Sequence, residues 1–241
     1  MEKELKYQIE AQMQAEKSKN ELVTNVAHDL RTPLTSIIGY IGLVKDGGFH
    51  DKEDQVKYLD IAYTKAEKLK VLIEDLFELT KFHQQAIKLK KEKISLSNLM
   101  NQLIEELMPL ASDKNIEIET YIDSTGTTAE VDIQKMTRVF ENLIENAIKY
   151  SPQGEAIYVE LRAIGDKIYV AVSNAFENIS PEEVSLFFER FYRADKSRNS
   201  MAGGSGLGLA IAKNIVELHG GEIGATINED LISFKIGLPR T

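Results

Sequence analysis

Residues 23–44 read VTNVAHDLRTPLTSIIGYIGLV, with apolar side chains at Val23, Val26, Leu30, Leu34, Ile37, Ile41 and Val44. Steps of three and four place these on one face of a helix. Pro33 lies inside the pattern and predicts a bend, because it removes one backbone donor and crowds the preceding turn. Asp46-Gly47-Gly48 ends the helix. The same spacing resumes at Leu59, Ala62, Ala66, Leu69, Ile73 and Leu76. Two long helices joined by a short loop make an antiparallel hairpin. A hairpin cannot bury both full-length stripes alone, so the pattern predicts a second copy, a dimeric four-helix bundle.

Upstream, residues 1–20 are rich in helix formers, lack Gly and Pro, and carry a thin apolar stripe. A solvated helix and the end of a signalling-type coiled coil fit equally well. Downstream, residues 84–93 (QQAIKLKKEK) are basic and weakly patterned, and read as a linker. Beyond them the pattern mixes helix and strand. Strands are predicted at 94–96, 116–122, 156–163, 167–173, 222–227 and 232–238, the third and fourth joined at Gly165-Asp166. Helices are predicted from a Ser97 cap to about 113, from 132 to 150, after Ser180-Pro181, and from about 206 to 219. This predicts an α+β sandwich with helices layered on one face of a mixed sheet.

The chain has 241 residues, 43% hydrophobic content and a net charge of −9. Acids and bases are interspersed, which argues against a nucleic-acid partner needing a basic face. No cysteine is present, so disulfides and thiolate metal sites are excluded. No apolar run approaches the roughly 20 residues of a membrane span, and no signal peptide opens the chain. The chain as written reads as soluble and intracellular.

Three clusters carry chemistry. His28 points away from the apolar stripe, with Asp29 beside it and Thr32 one turn further on the same face. A surface histidine alone has no task, but neutral imidazole is a nitrogen nucleophile that a carboxylate can orient or deprotonate. Asn142, Asn146, Lys149 and Tyr150 share one helix face, opposite Val139, Phe140, Leu143, Ile144 and Ala147. Any one asparagine fits a solvated face. Together they offer amide oxygens for Mg²⁺, an ammonium for phosphate and a ring for a base. Gly203-Gly204-Ser205-Gly206-Leu207-Gly208-Leu209 leads into a helix whose start can bind phosphate. It follows no strand and lacks a P-loop lysine, so neither a Rossmann nor a P-loop fingerprint applies.

Val26-Ala-His-Asp-Leu-Arg-Thr-Pro-Leu34 resembles the H-box of sensor histidine kinases. Glu141-Asn-Leu-Ile-Glu-Asn-Ala-Ile-Lys-Tyr-Ser151 resembles their N-box, Phe187-Phe-Glu-Arg-Phe-Tyr-Arg193 their F-box, and the Gly-rich run their G2-box. Four motifs in family order cover nearly the whole chain. The resemblance implies a hairpin followed by a histidine-kinase/Hsp90-like (Bergerat) ATP-binding fold. Its domains would be a signalling helix (1–20), a dimerisation and phosphotransfer hairpin (21–83), a linker (84–93) and a catalytic domain (94–241). His28 is then the phosphoacceptor, Asp29 its acid/base partner, and Thr32 the position that orients water for regulator dephosphorylation. Asn146 is the Mg²⁺ ligand. Asn142, Lys149, Tyr150, Arg193, Gly204, Gly206, Leu207 and Gly208 line ATP, with residues 194–203 as its lid.

One segment departs. Asn174-Ala175-Phe176-Glu177-Asn178 stands where the family has Asp-x-Gly-x-Gly, resembling loosely the vancomycin-sensor subgroup. Asn174 could still accept a hydrogen bond from the adenine amino group. The resemblance implies ATP-dependent phosphorylation of His28, transfer to a response-regulator aspartate, and regulator phosphatase activity. It also implies a membrane-anchored full-length protein. An ATPase clamp of the same nucleotide fold and a non-enzymatic scaffold are the alternatives. His50, His83 and His219 are read as surface or helix-end residues.

Overall fold

The computed structural model describes residues 24, 26–47, 52–82, 88–176, 179–193, 206–228 and 230–241. The N-terminal segment 1–20, all of residues 194–203, Gly204 and residues 177–178 therefore lie outside the described residues, as do His50 and His83. The chain divides into two compact units, one ending at Glu78 and one starting at Leu79.

In the first unit, helix α1 runs over 26–45 and α2 over Lys52–Phe82. α1 continues through Pro33. The Tyr40 and Tyr58 rings stack with centroids 5.6 Å apart, joining the end of α1 to the start of α2, as an antiparallel hairpin requires. The predicted stripes split into two sets. Val26, Leu30, Ile37 and Val44 are half-buried on α1, while Leu34 and Ile41 remain 47% and 48% exposed. On α2, Ala62 is buried and Leu69 and Leu76 half-buried, while Leu59 and Ile73 remain 48% and 38% exposed. A single stripe on one chain thus serves two faces, one for the hairpin and one left to solvent. Ile38, Val56, Tyr63, Val71 and Phe77 widen the exposed set.

The second unit opens with β1 (Lys91–Ser95), which starts inside the span read as linker. α3 (Leu96–Asp113) follows, then β2 (Glu117–Ile122), β3 (Thr128–Asp132) and α4 (Ile133–Tyr150). The cap of α3 is Ser95, whose hydroxyl accepts from Asn98 N. The predicted cap, Ser97, is instead buried and bonded to Ser95 and Thr127 hydroxyls. β3 was not anticipated; it pairs antiparallel with β1 in a separate two-stranded sheet. β4 (Ala156–Ile164), β5 (Lys167–Ala175), the short α5 (Pro181–Val184), α6 (Gly208–Leu218), β6 (Glu222–Asn228) and β7 (Leu231–Pro239) complete the unit.

The main sheet has the order β2-β4-β5-β7-β6, with β2 parallel to β4 and the other pairs antiparallel. Alternation selects its buried face: Ile157, Val159 and Leu161, then Ile168, Val170 and Val172, then Ile232, Phe234, Ile236 and Leu238 are all at most 6% exposed. Tyr121 and Tyr169, on the other parity, are 53% and 40% exposed. Met136, Val139, Phe140, Leu143, Ile144, Ala147 and Ile148 bury one whole side of α4 to 1% or less. Each large side chain so buried stabilises the fold by about 1.5–3 kcal/mol.

His219, read as a bland helix end, is 4% exposed and fully wired. Its Nδ1 donates to the Ile215 carbonyl at 2.8 Å, and its Nε2 accepts the Asp132 N–H at 2.9 Å. Asp132 caps α4, and its carboxylate also receives the Lys90 and Lys135 N–H groups. Burial pushes the imidazole down, the Ile215 carbonyl and Asp132 oppose this, and Lys91 and Lys135 add to it. As pH falls below about 6.5, the unfolded chain takes up a proton that folded His219 resists. Stability therefore drops on the acid side. In His219→Phe, thermal melts should show a loss of about 1–3 kcal/mol at neutral pH and a shallower decline toward acid. Parallel wild-type and variant pH curves would contradict this wiring.

Candidate functional site

On α1, His28 and Thr32 are the exposed members of the first cluster, the His28 side chain 78% accessible. Its Nδ1 lies 3.2 Å from Asp29 Oδ1. A carboxylate only accepts, so this contact puts the ring proton on Nδ1 and leaves the lone pair on Nε2 facing solvent. Thr32 donates its hydroxyl to the His28 carbonyl at 3.2 Å, and Ser36 repeats the pattern onto Thr32 at 3.1 Å. These back-bonds satisfy hydroxyls that would otherwise compete with the helix.

On α4, the buried stripe fixes the rotation of the helix, so Asn142, Asn146, Lys149 and Tyr150 must face away from the sheet. Asn142, Asn146 and Lys149 are half-buried and Tyr150 is exposed. The Lys149 ammonium sits 4.8 Å from the centre of the Tyr150 ring, a cation–π contact. Half-burial pushes the Lys149 ammonium down to about 8, the Arg193 guanidinium pushes the same way, and Glu145 opposes both. Two cations therefore converge without a full counter-charge, an arrangement that favours a polyanion.

The start of α6 comes to the same face. A Cβ at Gly208 would lie 2.6 Å from Asn142 Oδ1, so any larger residue would displace the Asn142 side chain from this face. No side chain caps α6 at Leu207, which is itself buried. Gly206 has φ +67, and a Cβ there would meet the Phe191 main chain at 2.8 Å. Phe191, itself at φ 62, donates its N–H to the Gly206 carbonyl at 2.9 Å. That bond ties the end of the 187–193 run to the residue two before α6. The helix start offers N–H groups and a positive dipole end to phosphate.

Asn174 is buried at the end of β5, opposite Ile157 and Ile232. Its Nδ2 donates to the Ala175 carbonyl at 2.6 Å, leaving the amide oxygen as its acceptor. No side-chain hydrogen bond joins it to the α4 face among the described residues. Just past Tyr150, Ser151 Oγ is the one buried side-chain polar atom among the described residues without a partner. Two further residues belong to this neighbourhood: Phe191, within the F-box run, and Lys114, which donates to the Ile148 and Lys149 carbonyls. Lys114 has no local signal in the sequence, because its partners lie more than thirty residues away in the chain. Removing Arg193 should raise the Lys149 midpoint. A side-chain NMR titration of wild type and Arg193→Ala checks this, and an unmoved midpoint would contradict the pairing.

Residues 18–85 match the family described as the His Kinase A (phospho-acceptor) domain. Residues 131–239 match the histidine kinase-, DNA gyrase B- and HSP90-like ATPase family. The sensor protein VanSC of Enterococcus gallinarum is 40% identical over 95% of this chain, which spans 63% of that relative's length. The Acinetobacter baumannii histidine kinase AdeS shares the fold, with a TM-score of 0.72 at 22% identity over 89% of this chain and 98% of that one. The histidine kinase ThkA, solved in complex with response regulator protein TrrA, gives a TM-score of 0.72 at 25% identity over 92% of this chain and 61% of that one. No helix among the described residues is long and apolar enough to cross a membrane. A phospho-acceptor hairpin followed by an ATPase fold of this kind is one continuous architecture, and the chain belongs to the sensor histidine kinase family.

Proposed function

We propose that this chain transfers the γ-phosphoryl group of ATP to Nε2 of His28, and passes it from there to an aspartate of a response regulator. The observation that carries the reading is the His28–Asp29 contact, which leaves an exposed Nε2 lone pair on a helix with no structural use for it. In the transfer, Nε2 forms the N–P bond while the bond from phosphorus to the β-phosphate oxygen breaks. ADP leaves with that electron pair. Asp29 holds the ring during attack and accepts the Nδ1 proton as positive charge develops on the imidazole.

The α4 face and the α6 start fit the triphosphate. Lys149 and Arg193 supply positive charge, the first N–H groups of α6 supply donors, and Tyr150 offers a ring to the base. With its Nδ2 committed to the Ala175 carbonyl, the Asn174 amide oxygen would accept from the adenine amino group, and the Ser151 hydroxyl would take a partner from a ligand or water. Among the described residues no three acidic or histidine side chains cluster to hold a metal. The Asn146 amide oxygen, with Asn142 behind it, is the hard donor suited to Mg²⁺ held jointly with phosphate oxygens. When bound, Mg²⁺ supplies charge neutralisation on the phosphates.

Thr32 is placed to orient a water for regulator dephosphorylation once its hydroxyl turns from the His28 carbonyl. The exposed ridges Leu34, Ile38, Ile41 and Leu59, Ile73 fit a second copy, completing a four-helix bundle. The relatives are named sensor proteins and extend beyond the matched region, which supports a membrane-anchored sensor of which this is the cytoplasmic part.

Incubation with γ-labelled ATP and Mg²⁺ tests the acceptor. Wild type should gain acid-labile, base-stable label and His28→Gln none; equal labelling of both would sink the assignment. Sedimentation tests the assembly: the pair Leu59→Glu and Ile73→Glu should convert a dimer to a monomer, and an unchanged dimer would refute the bundle.

A further inference from the structure

The last turn of α4 carries Lys149 and Tyr150, yet by helix geometry its final carbonyls have no donors within the helix. After Tyr150 the chain leaves the helix, with Ser151 extended (φ −63, ψ 140). The Ser151 N–H closes only onto the Ala147 carbonyl, at 3.0 Å. The Ile148 and Lys149 carbonyls are satisfied from elsewhere: Lys114 Nζ donates to them at 3.1 and 2.7 Å. An ammonium at this negative helix end is also favoured by the dipole.

Lys114 is itself rigidly mounted. It is the C-cap of α3, its N–H bonded to the Ala111 carbonyl at 3.1 Å. Asn115 then turns the chain through φ 56, and Ile116 N returns to Ala111 O at 2.9 Å with the Ile116 side chain buried. The Asn115 carbonyl accepts from Gly154 N at 3.1 Å, tying the same corner to the turn that follows α4. The end of α3 and the end of α4 are therefore one hydrogen-bonded block. Two of the three ammonium donors of Lys114 are spent on main chain. This holds a second cation close to Lys149, whose charge, after burial, pushes the Lys114 ammonium down. Such an unfavourable pairing is retained at a cost that a purely structural cap, an uncharged donor, would not incur.

We propose that Lys114 is a positioning residue for nucleotide binding: by holding the Ile148 and Lys149 carbonyls it sets the Lys149 ammonium and the Tyr150 ring, without itself touching the ligand. The inference rests on the nucleotide-binding reading of the α4 face. Loss of the clamp frees the terminal turn to fray, and fraying moves both side chains from the phosphate and base positions. Arginine can still donate to two carbonyls from the same place, whereas methionine fills the space without donating.

Calorimetric titration of the full chain with MgATP at low and high salt tests this. Lys114→Met should bind about tenfold more weakly than wild type, as expected for losing hydrogen bonds from a charged donor, and equally so at both salt concentrations. Lys114→Arg should restore binding to near wild type. Lys114→Ala, which also removes the donor, covers the case in which the methionine variant does not fold, and should weaken binding in the same direction. Wild-type affinity in a folded methionine or alanine variant would overturn the proposal. So would a deficit that vanishes at high salt, because a distant charge is screened and a clamped helix end is not. A wild-type chain that fails to bind MgATP would instead overturn the nucleotide reading itself.

Discussion

The rotation of α4 about its own axis is the constraint on which the rest of the catalytic unit depends. Seven side chains from Met136 to Ile148 are locked against the core at 1% exposure or less. A helix gripped so completely on one side has no freedom to choose what it shows on the other. Asn142, Asn146 and Lys149 are therefore presented as a set, and the absence of a Cβ at Gly208 lets the start of α6 come up against the Asn142 side chain. The ends of the helix are held as firmly as its flank. Asp132 and His219 secure the start, and Lys114 the finish. Two helices distant from it in sequence, α3 and α6, thus converge on α4.

The hairpin obeys a different rule. Its helices each need two partners, and a stripe with alternating steps of three and four supplies both. Leu69 and Leu76 turn inward while Leu59 and Ile73, on the same stripe, remain exposed. His28 lies off both sets, which is why its ring is exposed and available. Rigidity in the bundle and accessibility at the histidine are consequences of the same spacing.

Much of this was legible in the residues because it is local. The α4 face follows from a periodic stripe and an Asp132 cap, and the β4–β5 hairpin from alternation around Gly165-Asp166. The orientation of His28 follows from its distance to Val26 and Leu30. What escaped reading depends on partners distant in sequence. β3 is five residues long and is a strand only because β1 pairs with it. That pairing also carries β1 into a segment whose basic composition reads as linker. Ser97 has the chemistry of a cap, but the Thr127 hydroxyl draws it inside and Ser95 caps instead. His219 is the helix end its position suggests, but nothing near it in the chain announces its bond to Asp132. Lys114 was silent for the same reason.

The central claim is that the polar face of α4 and the start of α6 together form one polyphosphate surface. Backbone amide shifts of the full chain, recorded during titration with Mg²⁺ and an ATP analogue whose γ-phosphoryl group cannot be transferred, test it most directly. The account predicts the largest shifts at Asn142, Asn146, Lys149, Tyr150 and the amides of Leu207 to Leu209, all saturating at one ligand concentration. Shifts that spare the α4 face, or that saturate separately on α4 and α6, would contradict it.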